Sequence, residues 1–286
     1  MVIKKQFKSI KVQEFEEPYR QALYDFKLSD RQQIYSSLPK DVLDDALTDK
    51  DRIANIVLNE KDQVVGFFVL HQFYQHEGYD TPEQVVYVRS LSINEAFQGN
   101  GYGTQIMMFI PQYVQTVFPD FNHLYLVVDA ENKGAWNLYE RAGFMHTATK
   151  EEGPIGKERL YYLDLDAKYV SSLSLVLNDE EYKYGINIID LIKDGSKVGF
   201  IAVEQHDNRL NITSIEVDAS ERLSGIAQSA LRQLPTFVRK NFEGINVITI
   251  TLYGERNELK PLCLNSNFVA FEEGEDFVIF EKYINY

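Results

Sequence analysis

The sequence predicts an α/β chain in which one sheet-and-helix unit occurs twice. Three observations lead to that fold class. Residues 85–109 read as a strand that passes through a glycine-rich loop into a helix. Residues 64–73 and 85–93 are apolar runs on either side of a polar stretch, the pattern of a hairpin with a long tip. Residues of the same kind then return in the second half at a constant spacing of 124 positions.

Taken in order, residues 12–56 read as helical. Glu17-Pro18 and Ser29-Asp30 have the chemistry of helix starts, and Leu43, Leu47, Ile53 and Ile56 recur at near-helical intervals. Asp41, Asp44, Asp45, Asp49 and Asp51 decorate this segment, either as a solvated acidic face or as a polyamine-binding patch. Residues 64–73, VVGFFVLHQF, read as a buried strand. His71 and His76 have no partner at metal-ligand spacing and read as structural or solvated. Residues 85–93 are dense in β-branched and aromatic side chains and form the next strand. A helix follows from about Thr104, carrying Ile106, Phe109 and Ile110 on one face. Residues 124–128 form another strand, residues 132–141 a helix ending at Gly143, and residues 144–165 a final strand pair broken at Gly153-Pro154.

The chemistry gathers in Gln98-Gly99-Asn100-Gly101-Tyr102-Gly103. Glycines there can take positive φ and hold no side chain between backbone and ligand. A run of free N–H groups entering a helix is a cradle for phosphate oxygens; a plain strand-to-helix turn uses the same residues. The loop is not a dinucleotide fingerprint, because Ile106 stands where the third glycine belongs, and it lacks the Gly-Lys-Ser/Thr of a P-loop.

Composition narrows the classes. With 286 residues, 44% hydrophobic and 25% charged, the chain suits one large or two medium globular domains. No apolar run approaches the ~20 residues that span a bilayer, and the N-terminus has no apolar stretch of the kind a signal peptide needs. A single cysteine, Cys263, leaves no intramolecular disulfide and no cysteine metal cluster. A cytoplasmic protein without metal or membrane partner is the expectation. The net charge of −14 comes with no basic stripe, which argues against nucleic acid. It suits either a cationic amine partner or plain solubility.

The repeat is specific in its details. Leu91 and Ile93 return as Ile215 and Val217; Gln98, Gly101 and Gly103 as Arg222, Gly225 and Ala227; Leu138 and Phe144 as Leu262 and Phe268. The earlier strand around Val65 returns near Val198 at a spacing of 133, so the second copy has a shorter hairpin tip. It also has almost nothing matching residues 12–56. The expected domains are 1–167 and 168–286.

These residues resemble a tandem member of the GCN5-related N-acetyltransferase (GNAT) family. Gln98-x-x-Gly101-x-Gly103 is similar to the family's pyrophosphate loop, and Leu91-x-Ile93 to the strand end before it. Asn132-x-x-Ala135-x-x-Leu138-Tyr139 followed by Gly143-Phe144 resembles its second motif. The resemblance covers roughly residues 10–165. It implies a mixed, mostly antiparallel twisted sheet flanked by helices, of the acyl-CoA N-acyltransferase type. The second copy keeps Arg222-x-x-Gly225-x-Ala227, but Cys263 stands for Tyr139, Arg256 for Asn132 and Asn267 for Gly143.

The resemblance also implies acetyl-CoA as cosubstrate and direct attack by an amine on its thioester. Backbone N–H groups of Leu91, Ser92 and Ile93 would polarise the thioester carbonyl. The diphosphate would sit on Gln98, Gly99, Asn100, Gly101, Tyr102, Gly103 and Thr104, and Asn132 would bond the pantetheine arm. Tyr139 would protonate the leaving thiolate as general acid. For the base, the sequence offers Asp129, Glu83 or a water chain. Arg89, beside Tyr87, is either a charge escaping at the sheet edge or a clamp for a substrate carboxylate. Acceptor specificity is expected from residues 20–50 and 72–84. The implied partners are a small-molecule or peptide amine and, within the chain, the sibling copy as a pseudo-dimer. The alternative to an enzyme is a non-catalytic acetyl-CoA or CoA sensor. The second copy, which has lost the acid, the asparagine and the acceptor-side helices, is expected to be structural, with its retained Arg222 loop leaving residual CoA binding open.

Overall fold

In a computed structural model of the chain, residues 4–165, 169–170, 172–183, 185–254 and 259–284 are described. The chain forms two compact units, Met1–Asp166 and Ala167–Tyr286. The first unit runs β1 (Lys4–Phe7), β2 (Ile10–Glu14), α1 (Arg20–Tyr24), α2 (Asp30–Gln33), α3 (Pro39–Thr48), β3 (Arg52–Leu58), β4 (Val64–Gln72) and β5 (Val85–Ile93). It continues with α4 (Tyr102–Val117), β6 (His123–Asp129), α5 (Lys133–Arg141), β7 (Met145–Lys150) and β8 (Glu158–Asp164). The eight strands lie in the order β1-β2-β3-β4-β5-β6-β8-β7. Every neighbouring pair is antiparallel except β5–β6, the crossover that α4 makes.

Both faces of the central strands are buried, which explains their unbroken apolar runs. Phe68 and Leu70 of β4 face one way, into a core shared with Ile106, Ile110 and Tyr113 of α4. Phe67 and Val69 face the other way, against Leu23 and Leu43 of the helices between β2 and β3. Alternation with period two therefore feeds two cores from one strand. Each fully buried side chain of this size contributes about 1.5–3 kcal/mol.

The structure corrects the helical reading of residues 12–56. Helix is confined to three short segments, and β2 and β3 flank them. Ile53 and Ile56 belong to β3, opposite Leu70 and Phe67 of β4. Leu43 is buried in α3, whereas Leu47 is 47% exposed. The near-helical spacing joined residues of two different elements. Strand β3 is rich in Ile and Val and buried on both faces, so it lacks the alternation that marks a half-buried strand.

The second unit contains β9 (Leu173–Lys183), β10 (Ile186–Lys193), β11 (Ser196–His206), β12 (Arg209–Val217), α6 (Ile226–Asn241), β13 (Val247–Tyr253), α7 (Lys260–Asn265), β14 (Val269–Glu273) and β15 (Phe277–Tyr283). Its sheet order, β14-β15-β13-β12-β11-β10-β9, is that of the first unit read from β7 to β2. Backbone geometry repeats where side chains do not. Left-handed φ occurs at Gly99 and Leu223, at Gly101 and Gly225, and at Gly143 and Asn267, each pair 124 residues apart. The long helices carry Pro111 and Pro235 at the same internal position. What the second unit lacks is helices between β9 and β10, where α1–α3 stand in the first.

One buried polar contact ties α4 to the sheet. The Tyr113 hydroxyl donates to Asn55 Oδ1 (2.8 Å), while Asn55 Nδ2 donates to the Ile53 carbonyl (2.8 Å). Both residues are essentially inaccessible. Tyr113→Phe leaves Asn55 Oδ1 without its donor and is expected to lower stability by about 1–3 kcal/mol, read from urea unfolding of the full chain.

Candidate active site

The site exists because two neighbouring strands part. β5 and β6 pair in parallel only from Val85 and His123 to Tyr87 and Tyr125, although β5 continues to Ile93 and β6 to Asp129. On its other edge β5 is bulged: Val69 of β4 pairs with Arg89, Phe67 with Ser92, and Ser90 takes φ 54° to accommodate the extra residue. The edge of β5 facing β6 beyond Tyr87 therefore has backbone groups without a strand partner.

A groove occupies that gap. Its first half is a cleft of about 520 Å³, bounded by Leu91, Ile93, Gln98, Gly101, Thr104 and Leu138 among others. Its second half, about 360 Å³, is bounded by Tyr74, Tyr87, Arg89, Asp129, Ile155 and Glu158 among others. The halves share Tyr35, Ser36, Leu91, Asn132, Ala135 and Tyr139.

The glycine loop forms one end of the first half. Gly101 is the N-cap of α4 with φ 75°, and no side chain caps the helix. The N–H groups of Tyr102, Gly103 and Thr104 fall in the first turn, where no intrahelical acceptor exists. With the helix dipole they favour an anion. A Cβ on Gly101 would meet nothing within 4 Å, so the space before the loop is open. Gln98 lines this half but its amide is committed. Nε2 donates to the Ile93 carbonyl (2.8 Å) and to Gln32 Oε1 (3.1 Å), and Oε1 accepts from Gln32 Nε2 (2.8 Å). Asn100 does not line the groove; its Nδ2 donates to the Phe97 and Gln98 carbonyls and fastens the loop. Ser92 is buried, and its hydroxyl has no hydrogen-bond partner.

Asn132 caps α5 by accepting from the Ala135 N–H at 3.4 Å, which places Ala135, Leu138 and Tyr139 along the groove. Gly143 closes the helix with φ 93°, and the Phe144 N–H donates to the Tyr139 carbonyl (3.0 Å). The Tyr139 ring packs near Tyr161 and Phe144, with centroids 6.0 and 6.4 Å away. Desolvation pushes its phenol up to about 12. That keeps it protonated through the neutral range. Among the described residues its hydroxyl has no hydrogen-bond partner.

The second half mixes aromatic and charged groups. Tyr87 is buried and its ring lies near Tyr74 and His76, at 5.0 and 5.8 Å. Burial drives its phenol far above the ordinary range. The Arg89 guanidinium sits 5.1 Å from the Tyr74 ring centroid, with Nη1 3.3 Å from His71 Nδ1. His71 is buried and held below its ordinary 6.5, by desolvation first and then by Arg52 and Arg89. Neutral at Nδ1, it accepts from Arg89; its Nε2 faces Asp49 Oδ2 at 3.9 Å, and that same oxygen holds Arg52 Nε at 3.0 Å. Asp129 lines the cleft, but its Oδ1 accepts from the Glu131 N–H (2.8 Å).

Glu83 is exposed and lines neither half. Asp41, Asp44, Asp45, Asp49 and Asp51 also line neither half; Asp44 pairs with Arg20 at 2.7 Å. The residue that the sequence reading passed over is Glu158, at the start of β8 and 8% exposed. No motif marks it. Its only sequence signal is a carboxylate shortly after Gly153-Pro154, beside Arg159 at the head of the strand that carries Leu160, Tyr161, Tyr162 and Leu163. No group of three or more His, Cys, Asp or Glu among the described residues is placed to hold a metal ion.

The second unit has a cleft of about 370 Å³ at the same place, bounded by Ile215, Val217, Arg222, Ala227, Leu262 and Cys263 among others. There too the parallel pairing of β12 with β13 stops at Ile212, short of both strand ends. Arg222 repeats the anchor of Gln98, donating from Nε to the Val217 carbonyl (3.1 Å). Cys263 is buried, and desolvation pushes its thiol up to about 11. Arg256 lies outside the described residues.

Residues 20–144 match the acetyltransferase (GNAT) family. The uncharacterized N-acetyltransferase YbbJ of Bacillus subtilis is 31% identical over 141 residues, covering 49% of this chain and 88% of that protein. The uncharacterized N-acetyltransferase YycN of the same organism is 30% identical over 115 residues, covering 38% and 69%. Among solved structures, a GNAT-family acetyltransferase from Bacillus anthracis is 14% identical with a TM-score of 0.46, covering 58% of this chain and 99% of that one. These matches define an acyltransferase enzyme, and the chain belongs to the GNAT acetyltransferase family.

The His71 arrangement makes stability depend on pH. Between the lowered folded pKa and 6.5 the unfolded chain binds more protons, so stability falls as pH drops below about 6.5. His71→Gln is expected to narrow the gap between unfolding midpoints measured at pH 7 and pH 5.

Proposed function

We propose that the first unit transfers an acetyl group from acetyl-CoA to a primary amine by direct attack. The observation that carries this is Tyr139, which borders both halves of one groove with its hydroxyl unengaged. The diphosphate rests on the N–H groups of Gly101, Tyr102, Gly103 and Thr104, with Gly99 leaving room for it. Gln98 and Asn100 hold the loop rather than the ligand. The amide-bearing pantetheine arm completes the unpaired edge of β5, much as an added strand would, and Asn132 Nδ2 donates to it. N–H groups of Leu91, Ser92 and Ile93 beside the bulge stabilise the oxygen that becomes negative during attack.

Acid and base have distinct tasks. An alkylamine of pKa ~10.4 is neutral in only about one molecule in 2,500 at pH 7, so the site must accept a proton before attack. A thiolate whose conjugate acid lies near ~8.5 then leaves. Tyr139 gives it a proton and is recharged by the proton that the new amide nitrogen sheds. In the second unit the buried Cys263 stands at this position, and we assign that unit a structural role.

Tyr139→Phe is expected to lower kcat by about 100-fold with the acetyl-CoA Kd unchanged, read by thiol release with a panel of amines and by calorimetry. Retention of full kcat would remove Tyr139 as the acid. Binding of acetyl-CoA without turnover on any amine would favour a sensor over an enzyme. Gly101→Val forces a branched residue into left-handed φ at a cost of about 1–3 kcal/mol and fills the cradle. It is expected to weaken acetyl-CoA at least tenfold, while the wild-type chain binds one equivalent.

A further inference from the structure

The acceptor half of the groove contains two opposite charges that no described residue compensates with an ion pair. One is Glu158. It is 8% exposed, its Oε2 is buried without a hydrogen-bond partner, and it borders the cleft. The chain folds tightly over it: a Cβ on Gly153 would lie 2.3 Å from Glu158 Cγ. No cation among the described residues pairs with it. Lys150, its cross-strand neighbour on β7, donates instead to the Glu77 carbonyl (3.3 Å). Asp129, opposite it on β6, has one oxygen occupied by the Glu131 N–H. The other is Arg89. No carboxylate among the described residues lies within ion-pair distance of it. Its recorded partners are the Tyr74 ring and the neutral His71.

A buried carboxylate without a partner is unfavourable unless a ligand supplies the counter-charge. A plain polyamine would satisfy Glu158 but would bring further positive charge beside Arg89. An acceptor with one ammonium and one carboxylate satisfies both. We propose that the acceptor is such a zwitterion, an amino acid or a compound with the same two groups, held with its nitrogen on Glu158 Oε2 and its carboxylate on Arg89. Glu158 is then the base that the sequence did not reveal. Its carboxylate takes one proton from the ammonium; the neutral nitrogen forms the C–N bond as the C–S bond breaks. The second nitrogen proton recharges Tyr139, which has protonated the departing sulfur, and Glu158 returns its proton to solvent.

This rests on the acetyl-transfer reading, so the test separates the two. Acetyl-CoA binding is measured by calorimetry, and thiol release is followed with matched pairs: lysine against cadaverine, phenylalanine against phenethylamine. The wild type is expected to favour the carboxylate-bearing member of a pair at least tenfold in kcat/KM. Arg89→Met should raise KM for that member at least tenfold with little change in kcat, and should not raise KM for the plain amine. Glu158→Gln should lower kcat at least 100-fold at pH 7, keep the acetyl-CoA Kd, and recover part of the loss as pH rises and the free amine becomes neutral. The other titratable groups bordering that position, Asp129, His76, Tyr79, Tyr87, Arg89 and Lys150, remain in that variant. Preference for the plain amines, or a wild-type pH profile in Glu158→Gln with acetyl-CoA still bound, overturns the zwitterion inference alone. Failure to bind acetyl-CoA at all overturns the acetyl-transfer reading, and this inference with it.

Discussion

Everything in the first unit follows from the place where β5 stops pairing with β6. Three parallel pairs hold the strands together, and beyond Tyr87 they diverge while both continue. A sheet that opens internally exposes unpaired backbone groups, which cost free energy unless water or a ligand satisfies them. Here the opening is held by rigid parts on every side. The bulge at Ser90 turns β5, α4 begins at the wide end, and α5 covers the gap from Asn132 to Tyr139. A loop alone could not keep such a slot from closing.

The two units show which parts of this arrangement are scaffold. Both keep the parted strands, the left-handed residue that starts the long helix, and an anchor from the loop to the strand end. These features survive even where the residues change: Leu223 adopts the conformation of Gly99 despite its side chain, and Arg222 replaces Gln98 in the same hydrogen bond. The groups proposed to act on a reacting atom are not retained. The phenol of Tyr139 becomes a buried thiol, and no carboxylate of the second cleft's lining matches Asp129 or Glu158. Fold and chemistry were thus free to separate.

The sequence made the glycine loop, the long helices and the duplication legible because each rests on local pattern or on a fixed spacing. Ile106, Phe109 and Ile110 mark one helical face, and Gly101 marks a backbone that other residues adopt at a cost. Residues 12–56 misled for a physical reason. A strand such as β3 that is buried on both sides has no alternation, and its isoleucines fall at spacings that a neighbouring helix can extend. Side-chain commitments were invisible too. Gln98 and Asn100 read as ligand contacts, yet the Gln98 amide is committed to Ile93 and Gln32 and that of Asn100 to the loop's own carbonyls. Glu158 was missed because nothing local distinguishes it. Its burial depends on strands brought together from distant parts of the chain and on a turn that leaves no space at Gly153.

The extra chain of the first unit lies along the second half of the groove. Its walls include Tyr35 and Ser36 from the segment between α2 and α3, and Tyr74 and His76 from the β4–β5 tip. Both segments are shortened or missing in the second unit, where β9 turns into β10 within a few residues and β11 into β12 as quickly. Among the described residues, the cleft there is bounded by strands β12 and β13, Arg222 of the loop, the start of α6 and residues of and beside α7. A groove without those walls can still hold an extended ligand against a strand edge. It cannot keep water from a charged nucleophile, and in water a lone carboxylate or guanidinium selects weakly. Added walls convert an open slot into an enclosed one, and it is the enclosed cleft that places Arg89 and Glu158 at the low dielectric which the proposed zwitterion selection requires.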